Sequence, residues 1–344
     1  MGIVALLMEY KEDRFPGCCG PGDTLRLAHA LRHPSLISHP DLTVISTLSQ
    51  DRVAGLIPTE RYKMVPSTVT KERGSVNPDH LGTMLDEQLG AALDGARVIH
   101  SFIGEETYLW RAKQERSPAG RKYTRQRVDS SKADEGFMLH SKWVPPAVPK
   151  SSESVLAAFI RKMKTSPKWD TPDWFYGSVR ACALASGYRI LWCGSVTTLV
   201  PRSGEEKLYP SGPLLEQIRS LASRASCAVG VNSGGLDLAA AAGLPILRIW
   251  EWDRIRHWGK AYNSYLACAT CVGIGSRNAG EESDRDVMEK SLVALMANRG
   301  LFNNPRHVIL PSREALKNVS GPLEDQLIGN EIAWLGVTNL PSTT

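Results

Sequence analysis

The stretch Val231–Pro245, reading Val-Asn-Ser-Gly-Gly-Leu-Asp-Leu-Ala-Ala-Ala-Ala-Gly-Leu-Pro, constrains the fold more than any other part of the chain. An apolar run ends, two glycines open a turn, and a helix of small residues runs to a glycine and a proline that stop it. That order predicts a tight strand-to-helix connection in a parallel α/β sheet. Ser233 is placed to cap the helix. The N–H groups of Gly234, Gly235 and Leu236 then face outward, where they can hold a phosphate oxygen. The alanines allow close packing against a neighbour. The same turn serves as a plain connection in any doubly wound fold, so it sets the fold class without setting the function.

Apolar runs alternate with amphipathic stretches along the rest of the chain. Strands are expected at 3–8, 41–46, 97–100, 137–140, 188–193, 228–231, 245–249 and 307–310. Helices are expected from Asp23 to about Arg32 and over 79–94, 173–186, 212–224, 236–242 and 284–298. Gly187 stands where a helix C-cap belongs. Strands that alternate with helices predict parallel βαβ units, the pattern of an α/β fold. A length of 344 residues leaves room for two domains, and the proline-rich Val144–Lys150 reads as the linker between them.

A composition of 42% hydrophobic and 22% charged residues excludes a disordered chain, a collagen and a coiled coil. There is no run of 18 apolar residues, so no transmembrane helix is expected. The apolar start ends at Glu9 and lacks a basic flank, so no secretion leader is expected. The cysteines number seven, an odd count, and are expected to be reduced in a cytoplasmic protein. Cys268 and Cys271 have CxxC spacing, but no second pair or histidine accompanies them, so they read as buried thiols. Net charge is +5, which suits phosphorylated ligands or an anionic surface. The segment 111–132 concentrates Arg111, Lys113, Arg116, Arg121, Lys122, Arg125, Arg127 and Lys132. It is expected as a mobile loop or helical arm. Such a run is a solvated face, or a contact for an anionic acceptor, a membrane surface or nucleic acid.

Two further places carry candidate chemistry. Gly20-Pro21-Gly22-Asp23 joins the first strand to the first helix. Its glycines let the backbone approach a ligand, and Asp23 is either an ordinary N-cap or a functional carboxylate. The loop matches neither GxGxxG nor a Walker A motif, so neither a dinucleotide nor an NTPase site is indicated. Lys168 is a cation for a diphosphate if it faces the ligand, and a solvated surface lysine otherwise. Glu251, between Trp250 and Trp252, is placed by position alone to touch a ribose or the acceptor.

Taken in order, these places resemble glycosyltransferase family 9, the ADP-heptose:lipopolysaccharide heptosyltransferases with the GT-B fold. Gly22-Asp23-Thr24-Leu25 through Leu31-Arg32 is similar to the family's first turn and helix. Lys168-Trp169-Asp170 is similar to its Lys-x-Trp-Pro signature, and Gly187–Gly194 to the strand and glycine turn that follow. Asn232–Pro245 is similar to its Asp-Ser/Thr-Gly-x-x-His-Leu-Ala-Ala-Ala-x-Gly-x-Pro segment.

The resemblance implies a GT-B architecture of two Rossmann-like domains whose parallel sheets face a central cleft. The acceptor domain would span 1–148 and the nucleotide-sugar domain 149–325, with a tail over 326–344 that packs back on the first. It implies an inverting, metal-independent transfer of a heptose or other hexose-like sugar from a nucleoside-diphosphate donor to an acceptor hydroxyl, with no cofactor. Asp23 would be the general base, kept ionised by the helix N-terminus. Gly20 and Gly22 would line the acceptor loop. Lys168, Gly194, Ser195, Asn232, Ser233, Gly234, Gly235, Asp237 and Glu251 would bind the donor. The acceptor stays open among a glycolipid, a natural product, a protein and a nucleic acid.

The chain also departs from that pattern. Asn232 stands in place of an acidic residue, Asp237 in place of a histidine, and Trp250-Glu251-Trp252 in place of a Gly-Pro-Thr turn. The donor rim is altered, which opens the choice of nucleotide sugar. Competing readings are a nucleotide-sugar epimerase or hydrolase, a binding protein without catalysis, and a protein that binds or modifies nucleic acid through 111–132. The expected location is cytoplasmic, with peripheral contact at the inner membrane face through that basic run.

Overall fold

Short apolar segments in the first part of the chain pair into one parallel sheet. They are β1 (Ile3–Leu7), β2 (Leu42–Ser46), β3 (Tyr62–Met64), β4 (Arg97–His100) and β5 (Thr124–Gln126), ordered β3-β2-β1-β4-β5. Every neighbouring pair is parallel. The structure, a computed structural model, describes residues 3–7, 21–30, 40–46, 50–57, 62–64, 97–100, 124–126, 151–162, 170–209, 211–251, 271–276, 282–297 and 307–311. The chain divides into two compact units. One comprises residues 1–142 with 212–215 and 260–265, and the other 143–211 with 216–259 and 266–344.

In the first unit, α1 (Pro21–Ala30) follows β1 and buries Thr24, Leu25 and Ala28. A single turn, α2 (Gln50–Val53), buries Val53. The helix starts at Pro21, ahead of the expected Asp23. Proline suits the first helical position because an N–H there has no intrahelical partner. Asp23 therefore lies inside the first turn. The basic run 111–132 is not wholly the loop or helical arm expected of it, because Thr124–Gln126 pairs with Arg97–Ile99. An edge strand needs hydrogen bonds on one side only and tolerates charge. The expected helix at 79–94, strand at 137–140, linker at 144–150 and tail at 326–344 lie outside the described residues.

The second unit carries the larger sheet. Its strands are β6 (Val155–Ile160), β7 (Arg189–Gly194), β8 (Glu205–Leu208), β9 (Cys227–Val231), β10 (Ile246–Glu251), β11 (Cys271–Ser276) and β12 (His307–Pro311). They lie in the order β12-β11-β10-β9-β6-β7-β8, all parallel. The helices are α3 (Asp173–Ala185), α4 (Leu214–Arg224), α5 (Gly234–Ala241) and α6 (Arg285–Ala297). In both sheets the strands step outward one way, return to the middle and step outward the other way. The reversal falls between β1 and β4 in one and between β6 and β9 in the other. Ligands of open α/β sheets bind outside the carboxyl ends of the strands at such a point.

All six residues of β6 are buried, as a strand covered on both faces must be. Leu156, Ala158, Ile160, Trp192, Val229, Leu247 and Ile249 form one core with Phe175 and Val179 of α3 and Met288, Leu292 and Leu295 of α6. Side chains alternate along a strand, so Phe159, Gly230 and Arg248 belong to the opposite face, where α5 lies.

The edge strand β8 reads Glu-Glu-Lys-Leu, which has little strand character of its own. It is fastened through Glu205, whose side chain is 5% exposed. The Glu205 carboxylate accepts from Arg180 Nε (2.6 Å) and Nη2 (2.9 Å), from Trp192 Nε1 (2.9 Å) and from the Arg202 N–H (3.0 Å). The Arg180 guanidinium also lies over the Trp192 ring, 5.5 Å from its centre. Burial of Glu205 opposes its ionisation, but these donors outweigh it and hold the carboxyl at about 2. Its stabilisation is therefore complete above the ordinary value of 4.5 and is lost as pH falls toward 2. Glu205→Gln is expected to cost on the order of 3 kcal/mol at neutral pH. In urea melts of the two proteins the gap should close between pH 4.5 and 2; a gap that stays constant across that interval contradicts this account.

Candidate functional site

The carboxyl end of β6 is held from two sides. The Ser195 N–H donates to the Ile160 carbonyl at 2.9 Å, and the Lys162 N–H donates to Ser195 Oγ at 3.3 Å. The Arg161 N–H donates to Thr171 Oγ1 at 2.8 Å, and Thr171 returns its own N–H to the Arg161 carbonyl at 2.9 Å. Gly194 makes the first clamp possible. Its φ is +85°, and a Cβ there would lie 2.3 Å from the Ile160 oxygen. Gly194 and Ser195, expected at the donor site, thus brace the end of β6.

The neighbouring strand β9 ends at Val231, and the Asn232 N–H still donates to Ile249 of β10 at 2.8 Å. The chain then turns into α5 through Ser233. Ser233 has extended backbone and caps the helix, accepting from the Leu236 N–H with its Oγ at 3.4 Å and its carbonyl at 3.1 Å. Among the described residues, the N–H groups of Gly234 and Gly235 have no acceptor. Two unpaired N–H groups at the positive end of a helix favour an anion. Arg161, from the adjacent end of β6, donates Nη1 to the Asn232 carbonyl at 2.8 Å. The edge thereby gains a guanidinium. The switch point of the larger sheet therefore unites the end of β6, Asn232, Ser233, Gly234 and Gly235.

Asn232 and Asp237 also have partners beneath the turn. Arg248 of β10 is wholly buried. It donates Nη2 to Asp237 Oδ1 at 2.5 Å and Nη1 to Asn232 Oδ1 at 3.1 Å. The Asp237 side chain is 5% exposed and points into this cluster. Gly235 owes its identity to packing as well, because a Cβ there would lie 2.8 Å from Cδ1 of Phe159.

Other candidates are placed by backbone alone or not at all. Gly22 is buried in the first turn of α1, with Asp23 next to it. Glu251 is the last residue of β10, in register with Ser276 of β11. The side chains of Asp23 and Glu251, and the whole of Gly20 and Lys168, lie outside the described residues.

Comparison with protein-family models finds no match, and comparison with characterised sequences finds none either. Comparison with solved structures does find matches. A glycosyl transferase of family 9 from Veillonella parvula superposes with a TM-score of 0.51 at 12% identity, over 87% of this chain and 97% of that one. The E. coli heptosyltransferase WaaC with ADP gives a TM-score of 0.46 at 13% identity, over 83% of this chain and 98% of that one. The likeness is one of fold. The chain has the GT-B class of α/β fold, built from parallel sheets.

Reading the residues alone misses Arg161 and Arg248. Arg161 follows a strand whose pattern is inconspicuous. Arg248 does carry a signal, because an arginine amid Ile-Leu-Arg-Ile-Trp must find a buried partner. A cavity of about 550 Å³ at the opposite, amino-terminal end of the strands is lined by Ser151, Glu153, Arg189, Glu206 and Arg224. Its charges pair among themselves, Arg189 with Glu153 and Glu206, and Arg224 with Glu206. The carboxyl edge is therefore the stronger candidate site.

Gly194→Ala should be costly, since it forces a side chain into left-handed backbone and against a carbonyl oxygen. The expected loss is at least about 1–2 kcal/mol. Thermal melting of the variant measures it, and a wild-type melting temperature would show that the end of β6 tolerates the change.

Proposed function

We propose that the chain transfers a sugar from a nucleoside-diphosphate donor to an acceptor hydroxyl. The observation that carries this reading is the coincidence of two features. The topological switch between β6 and β9 falls where a capped helix offers the Gly234 and Gly235 N–H groups beside Arg161. Sheet topology selects the position, and helix N–H groups with cations select an anion such as a diphosphate. The resemblance in motif order and the likeness in fold to a family 9 glycosyltransferase support the same chemistry.

In this reading the acceptor oxygen attacks the anomeric carbon from the face opposite the diphosphate. The bond from that carbon to the diphosphate oxygen breaks, and the nucleoside diphosphate leaves with the bonding pair. Configuration is inverted. The acceptor proton passes to the Asp23 carboxylate as general base. Charge building on the leaving diphosphate is met by the α5 N-terminus, Arg161 and Lys168, so no metal is required. Most of the acceleration then comes from holding the two substrates in line and stabilising the leaving group. The sugar in this reading is a heptose or another hexose-like sugar, with the base of the nucleotide left open; Asp237, expected at the donor, is instead turned to Arg248 beneath the turn.

A thermal-shift panel of nucleoside diphosphates and nucleotide sugars tests donor binding. A ligand at a hundredfold excess over its Kd should add about 2.7 kcal/mol to stability. No shift with any member overturns the reading. With a binding nucleotide sugar in hand, Asp23→Asn should abolish transfer and leave nucleotide affinity nearly intact. Lys168→Ala should instead weaken nucleotide affinity, and full transfer by the Asp23 variant would remove that residue as base. Release of free sugar without an acceptor would identify a hydrolase.

A further inference from the structure

Arg248 sits in the middle of β10, in register with Gly230 of β9 on one side and Gly273 of β11 on the other. Residues in register share a face of the sheet. Two glycines thus flank Arg248 on its own face of the sheet. One strand further on, Phe159 of β6 is in register with Gly230. A Cβ on Gly230 would meet Phe159 Cβ at 2.9 Å, so the row Phe159-Gly230-Arg248-Gly273 alternates large and empty positions. The first turn of α5 rests on the two large members. Phe159 lies under Gly235, and Arg248 reaches Asp237 within the helix and Asn232 before it.

Asn232 is thereby gripped from both strands that flank its own. Arg161, just beyond β6, takes its carbonyl, and Arg248 of β10 takes its side-chain oxygen. We propose that Arg248, neutralised by Asp237, is a positioning residue. Through Asn232 it fixes the direction in which the Gly234 and Gly235 N–H groups point, and it makes no contact with the ligand itself. Its value for the ligand rests on the reading of this turn as the diphosphate site. Stability alone does not call for such a cluster, because an apolar pair of similar volume often replaces a buried ion pair without loss. An apolar pair cannot supply direction. The guanidinium fork bonds two acceptors on two different segments and so sets the angle between them.

The test compares wild type with the double variant Arg248→Met, Asp237→Leu by thermal melting, by amide hydrogen exchange at residues 232, 236 and 237, and by ADP and UDP titration. Those amides are informative because each donates within the turn or to β10. The expected result is a melting temperature within a few degrees of wild type, with exchange protection at the three amides reduced about tenfold. Affinity for whichever diphosphate binds the wild type should fall by a similar factor. Wild-type protection in a double variant that melts normally overturns the proposal. So does lost affinity with protection intact, which would make Arg248 a ligand contact. Should the double variant not fold, Asn232→Ala keeps the ion pair and cuts only the link to the turn. It is expected to lower protection at residues 236 and 237 about tenfold, with a melting temperature reduced by only a few degrees as one buried guanidinium N–H loses its acceptor, and unchanged protection again overturns the proposal. A wild type that binds neither diphosphate counts against the proposed function, while the exchange comparison still decides the role of Arg248.

Discussion

A guanidinium with no exposed surface dictates its own surroundings, and Arg248 does so for the centre of the larger sheet. A buried charge is tolerated only with a counter-charge and hydrogen bonds. Asp237 supplies the first and Asn232 adds to the second. The glycines in register on both neighbouring strands put no side chain beside it in its row. The helix above must come close enough for a short carboxylate to reach the sheet. An alanine-rich α5, buried from Leu236 through Ala241, allows that approach. The sequence of the turn and the composition of the helix both answer to one buried cation.

The two ends of this sheet then differ in electrostatic character. At the amino-terminal end, Arg189 and Arg224 are matched by Glu153 and Glu206, so the charges around that cavity cancel. At the carboxyl end, Asp237 is spent on Arg248 below the surface, and Arg161 holds the Asn232 carbonyl just ahead of the helix N-terminus. Burying the carboxylate with its own partner keeps negative charge away from the place where an anion is expected. Coulomb repulsion from an unmatched Asp237 one helical turn from the N-cap would work against a diphosphate.

The alternation of strands and helices was legible in the chain, because apolar period and glycine stops mark β7, β9, β12, α3, α4 and α6 to within a few residues. The least visible element is β6, an interior strand of the larger sheet. Val-Leu-Ala-Ala-Phe-Ile has no polar alternation, since both faces are covered, and its two alanines weaken the strand signal. The strand is specified by its neighbours rather than by itself. Phe159 fits over Gly230, and Ile160 accepts from Ser195 across a glycine of positive φ. Likewise β8 owes its place to Arg180 and Trp192, which lie on other elements. The βα turn and the capping role of Ser233 were legible in the chain. The side-chain wiring of the turn was not, because a spacing within one turn says nothing of an arginine on the following strand.

That wiring joins two of the departures from the heptosyltransferase pattern, those at 232 and 237, into one change. A carboxylate at 237 in an alanine-rich helix cannot be buried alone, and an arginine at 248 in an apolar strand cannot either; each is the other's partner at 2.5 Å. Given that pair, a second carboxylate at 232 would add a negative charge beside Asp237 on the same guanidinium. Asparagine instead accepts one hydrogen bond from the same guanidinium and adds no charge. The amide at 232, the carboxylate at 237 and the guanidinium at 248 are therefore electrostatically interdependent. Restoring an acid at 232 without changing 237 or 248 would be the costly substitution, and the three positions are best regarded as a single unit of the turn.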